Sequence, residues 1–102
     1  MLESEIESKL TKKIKQLGNG IMCLKFVSPG FTGVPDRIIL LPGPNVIFVE
    51  LKQPGKKERV RQRYVQGLLR NLGFEVFSSV QTVEQIEAII KRCREVLDLE
   101  RV

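Results

Sequence analysis

Residues 33 to 52 constrain this chain more than any other stretch. Two apolar runs, 38 to 41 and 46 to 49, flank the turn Pro42-Gly43-Pro44-Asn45. Runs of Ile, Leu, Val and Phe at these lengths predict buried strands. Yet Asp36 opens the first run, and Glu50-Leu51-Lys52 closes the second. Desolvating an unpaired charge is expensive, so a buried strand has no structural use for one. These three charges need a chemical reason.

The pairing of the two strands is testable from the sequence. Alternation puts Phe48, Glu50 and Lys52 on one face and Ile47, Val49 and Leu51 on the other. For Asp36 to share a side with Glu50, opposed residue numbers must have an even sum. Leu41 opposite Asn45 satisfies this, whereas Leu41 opposite Val46 separates the carboxylates. An odd hairpin loop, a bulge, or Asp36 just outside regular pairing is therefore expected.

The chain has 102 residues, which predicts one domain over 1–102. No apolar run approaches the length of a membrane span, and the N-terminus lacks the pattern of a secretory signal. Cys23 and Cys93 make no metal-ligand spacing and are expected to be reduced, in a cytoplasmic setting. The net charge of +5 favours a polyanionic partner, nucleic acid before an anionic membrane surface. There are no histidines, which removes Ser-His-Asp hydrolases, histidine-based nucleases and His-ligated zinc. Hydrolytic chemistry here must use carboxylates, lysine and a hard cation such as Mg²⁺ or Mn²⁺.

Residues 2 to 17 predict a helix with Leu2, Ile6, Leu10, Ile14 and Leu17 on one stripe, closed by Gly18 and Gly20. Residues 21 to 27 predict a strand interrupted by Lys25. That lysine is either a strand-edge charge or a phosphate or carboxylate partner in the site. A Pro/Gly loop from 28 to 35 delivers Asp36. After the hairpin and the basic turn 53 to 57, residues 58 to 72 predict a helix with Val60, Tyr64, Leu68, Leu69 and Leu72 buried. Tyr64 is expected in the core rather than as a stacking platform for bases. A strand over 74 to 80 follows, parallel by a helical crossover. Thr82 and Gln85 make a capping box for a last helix, 83 to 97. The expected fold is α/β, with α-β-β-β-α-β-α order and a mixed four-stranded sheet flanked by helices.

Phosphodiester cleavage needs a metal at the phosphate, an activated water and neutralisation of transition-state charge. Converging carboxylates can hold Mg²⁺, and a lysine two residues along the strand emerges on the same face, roughly 7 Å away. The carbonyl of Leu51 can also reach the metal. Six basic residues, Lys52, Lys56, Lys57, Arg59, Arg61 and Arg63, follow closely and are opposed only by Glu58. They make a candidate patch for tracking a phosphate backbone, with Lys25 as a further candidate contact.

Pro35-Asp36 followed by Glu50-Leu51-Lys52 resembles the signature of restriction-endonuclease-like nucleases. A longer stretch resembles one branch, the VRR-NUC (virus-type replication-repair nuclease) domain. It comprises residues 33 to 37, residues 48 to 55, Gln62, Gly73-Phe74-Glu75-Val76, and the acidic helix start from Glu3 to Glu7. The resemblance spans nearly the whole chain and implies a stand-alone minimal member, of a kind typical of phage and bacterial genomes. It implies Asp36 and Glu50 as ligands of the divalent metal and Lys52 as catalytic lysine. Glu3, in preference to Glu7, would complete the site from the buried face of the first helix. Gln62 would contact metal-bound water or phosphate. Lys57 to Arg61 departs from the family's usual helix entry, leaving the cap less defined and adding positive charge.

The expected function is a Mg²⁺/Mn²⁺-dependent DNA endonuclease selective for DNA structure. Similarity to minimal relatives implies a Holliday-junction-resolving homodimer, its dimer surface on the first or last helix. The alternatives are a non-catalytic nucleic-acid-binding protein with the same fold, which would tolerate Lys52→Ala, and a flap or single-strand nuclease. A basic interaction domain carrying the motif by chance would show no salt-dependent DNA affinity.

Overall fold

The computed structural model describes residues 1 to 100, the side chain of Glu100 excepted. Its elements are α1 (Glu3–Leu17), β1 (Met22–Lys25), β2 (Arg37–Leu41), β3 (Asn45–Leu51), α2 (Val60–Asn71), β4 (Glu75–Val80) and α3 (Val83–Glu100). The four strands form one sheet in the order β1-β2-β3-β4. The first three are antiparallel neighbours, and β4 runs parallel to β3 because α2 carries the chain back before β4 begins. This is the element order and mixed sheet that the sequence predicts.

The hairpin has the even register. Leu41 faces Asn45 and Arg37 faces Val49 across a loop of Pro42, Gly43 and Pro44. Gly43 takes a φ of 95°, which a side chain would strain. The Asn45 side chain closes the turn by donating to the Pro42 carbonyl at 2.7 Å.

Alternation then gives the sheet two unlike faces. On one, Ile39, Leu41, Ile47, Val49 and Leu51 meet Ile6, Leu10 and Ile14 of α1 and Ile86, Ile89, Ile90, Cys93 and Val96 of α3. This is the main apolar core. Its rim is tied by Lys13 to Glu87 at 2.6 Å and by Arg92 to Glu75 at 2.6 Å. The capping box of α3 forms as expected. The Gln85 N–H donates to Thr82 Oγ1 at 3.2 Å, and the Thr82 N–H to Gln85 Oε1 at 3.0 Å.

The other face carries α2, and here the structure corrects the reading of hydrophobic pattern. Val60 and Leu72 are 74% exposed and Tyr64 is 55% exposed, so the expected buried stripe lies largely outside. The buried residues of α2 are Val65 and Gln66. The cause is hydrogen bonding. The residues beneath α2 are polar, and a buried acceptor left without a donor costs more than an exposed apolar side chain. The rest of this face is filled by Phe48, whose ring lies 5.7 Å from Phe26 and 5.4 Å, edge-on, from Phe74. A smaller departure is Leu2, 57% exposed, which precedes α1 as its cap instead of joining its stripe.

Candidate active site

Asp36 lies one residue before β2. The Phe26 N–H donates to its carbonyl at 2.9 Å, which fixes the backbone. Its carboxylate Oδ2 accepts the Leu51 N–H at 2.7 Å. The regular β2–β3 register ends at Arg37 and Val49, so the Asp36 side chain takes over where the ladder stops. The even register directs Asp36 and Glu50 to the same face, as the sequence requires.

Glu50 is 1% exposed. Its Oε1 accepts the Gln62 Nε2–H at 3.3 Å. Its Oε2 is buried with no hydrogen-bond partner. Burial, the hydrogen bond that a protonated Glu50 would donate to Asp36, and repulsion from Asp36 push the Glu50 carboxyl up to about 9, and Lys52 opposes this without cancelling it. Two carboxyl groups in contact cannot both ionise cheaply in a dry site. Lys52 is half-buried, and its N–H donates to the Val80 carbonyl at 3.0 Å.

A bulge shapes the floor. The β3–β4 register shifts between Val49 opposite Phe77 and Leu51 opposite Val80, so β4 carries one extra residue beside Glu50. Ser79, within it, has a φ of 51°. Its hydroxyl donates to Glu58, which also accepts the amide of the buried Gln66. Glu58 is near enough to raise the Glu50 carboxyl further. The sequence presents Glu58 only as a counter-charge in a basic segment, because its two partners come from distant elements. Gln62 is more legible and has two bonds: its Oε1 caps α2 by accepting the Arg59 N–H at 3.0 Å, while its amide nitrogen reaches Glu50.

The basic residues divide. Lys56, Lys57 and Arg59 line a cleft of about 310 Å³ together with Glu3, Lys52 and Gln53. Lys56, Lys57 and Arg63 line another of about 320 Å³ with Glu58, Ser79 and Gln81. Arg61 instead lies against the 28 to 35 loop, donating from Nε to the Thr32 carbonyl at 3.1 Å. Lys25 pairs in register with Arg37, which faces Val49 of the core, so it is on the sheet face opposite the carboxylates. The structure does not bring Lys25 to the site.

Glu7 is held by Arg37, whose Nε lies 2.9 Å away. Glu3 is free of that pairing and opens onto the cleft of Lys52; it is exposed, at the N-terminal end of the helix face that Ile6, Leu10 and Ile14 bury. Among the described residues no three acidic or cysteine side chains gather as a metal-binding cluster, so Asp36 and Glu50 form a pair.

The mixed sheet, with paired carboxylates and a lysine at the ends of β2 and β3, has the restriction-endonuclease-like fold. A solved structure of a VRR_NUC domain superposes on this chain with a TM-score of 0.76, covering 87% of this chain and 94% of that one at 23% identity. "Putative nuclease p44" of Acyrthosiphon pisum secondary endosymbiont phage 1 is 42% identical over 74 residues, 72% of this chain and 77% of the relative. No protein-family model matches the chain. The chain belongs to the family of this phage protein, a putative nuclease, and has the VRR_NUC fold. No helix among the described residues is long and apolar enough to cross a membrane.

Proposed function

We propose that this nuclease, as a single domain over residues 1–102, is a Mg²⁺- or Mn²⁺-dependent endonuclease for branched DNA. The observation that carries the metal dependence is the buried, partnerless Oε2 of Glu50 beside a second carboxylate. Such a pair needs a cation or a proton between its members, and hard oxygen donors fit Mg²⁺ or Mn²⁺. Asp36 and Glu50 would hold the ion, joined by the Leu51 carbonyl. When bound, the ion supplies polarisation of the phosphate and a more acidic water.

The chain's own groups do the rest. Gln62 holds Glu50 in place from the start of α2. The Lys52 ammonium offsets charge that develops on the phosphate oxygens. Glu3, across the cleft from Lys52, is suited to orient water. Lys56, Lys57, Arg59 and Arg63 bind backbone phosphates and position the substrate without reading its sequence.

Four-way junctions are the proposed substrate and a homodimer the proposed state, since paired cuts require two sites related by a two-fold axis. The exposed apolar residues Met22, Leu24, Leu72 and Phe74 are the surface that such a dimer would cover. Sedimentation at micromolar concentration should give twice the monomer mass.

The deciding experiment is cleavage of a four-way junction, a flap and a linear duplex with Mg²⁺ or Mn²⁺, wild type against Asp36→Asn. The junction should be cut by wild type only. Equal cutting by the variant overturns the ligand assignment. A flap or single-strand nuclease is the second reading, favoured by aromatic rings exposed beside the site.

A further inference from the structure

The rings of Phe31 and Tyr64 both lie against one guanidinium. The Arg61 Cζ is 4.7 Å from the Phe31 ring centre and 5.3 Å from that of Tyr64. Phe31 is 43% exposed and Tyr64 is 55% exposed, so neither ring is consumed by the core. The stack is also fixed. Arg61 is tethered to the Thr32 carbonyl, and a Cβ at Gly33 would meet Arg61 Cγ at 2.8 Å, showing how tightly this loop packs on α2.

Its position connects it to the chemistry. Arg61 precedes Gln62, which touches Glu50, and a cleft of about 340 Å³ is lined by Thr32, Gly33, Arg59, Arg61 and Gln62. A rigid aromatic surface beside a basic rim is how proteins hold unpaired bases. Every base has a π-face to stack, and arginine adds a cation–π contribution. Paired bases inside a duplex offer no such face.

We infer that Phe31, Arg61 and Tyr64 form a stacking platform for an unpaired nucleobase, so that, within the nuclease reading, DNA with a strand open beside the cut, as in a flap, is preferred over the fully paired arms of a four-way junction. This rests on the reading that the chain binds DNA, and it adds the feature by which a substrate is chosen.

The test measures binding of the full chain in EDTA to a duplex with a single-stranded tail and to the same duplex fully paired. Each probe carries 2-aminopurine, whose fluorescence falls on stacking. Wild type should quench the tailed probe. Phe31→Leu and Tyr64→Leu should each weaken tailed-probe binding roughly tenfold or more, relieve the quenching, and leave duplex affinity unchanged. Tyr64→Phe, which keeps the ring, should behave as wild type. Unaltered Leu variants, or equal losses on both probes, overturn the platform while leaving the nuclease reading intact. No DNA binding by wild type overturns both. Circular-dichroism melts of the Leu variants that match wild type establish that the effect is not unfolding.

Discussion

Glu50 is buried where its charge is least welcome, and this has a measurable cost without metal. Its folded carboxyl is pushed up to about 9, whereas in the unfolded chain it titrates near 4.5. Between those values the folded protein retains a proton that the unfolded chain has released. Stability of the metal-free protein should therefore fall as pH rises from about 5 to about 9. Urea midpoints in EDTA across that range measure the slope, and Glu50→Gln should flatten it. The same substitution lets an amide donate to Asp36, so the variant should gain about 1–3 kcal/mol at alkaline pH while losing cleavage. Lys52→Ala should leave the melting temperature nearly unchanged and lower kcat by about 10²–10⁴-fold. Asp36, Glu50 and Lys52 were legible in the sequence because each interrupts or ends an apolar run. Glu58 was not: what marks it is contact with Gln66 and Ser79, which only the fold supplies.

Among the elements, β2 and β3 could be placed from the residues, and a shared face for Asp36 and Glu50 narrowed their pairing to an odd hairpin loop, a bulge, or Asp36 outside the ladder; the structure has the odd loop, with Asp36 just beyond the regular pairs. The orientation of α2 could not be read this way. Its apolar stripe at Val60, Tyr64, Leu68 and Leu72 suggests a core-facing side, but the polar Gln62 and Gln66 turn inward because Glu50 and Glu58 wait beneath them. Local pattern failed at the helix that covers the site, where function overrides hydrophobic patterning. The junction between α2 and the preceding loop is tight at Gly33, where φ is +89° and an added Cβ would meet the Arg61 carbonyl at 3.0 Å and Val65 Cγ2 at 3.1 Å. Gly33→Ala should cost about 1–3 kcal/mol and lower the denaturation midpoint.

Across the whole molecule, charge governs how DNA is met. The net charge is +5, and the basic side chains around Lys52 surround a carboxylate pair in which Glu50 holds its proton well above the usual range. Affinity should fall linearly with log salt, and the Lys56→Ala/Lys57→Ala double variant should reduce that slope by about 2. The sheet itself acts as a partition. The layer of α1 and α3 secures the fold, while Asp36, Glu50 and α2 lie on its reverse, and Glu3 reaches the cleft of Lys52 from the start of α1. Changes on the two sides should consequently be separable: Ile89→Val should trim unfolding free energy by about 0.5–1.5 kcal/mol and spare turnover. Combined with Lys52→Ala, the two effects should add without cross-talk. A lineage carrying this domain could thus retune its thermal tolerance and its substrate choice as independent traits, each drifting on its own side of one shared wall.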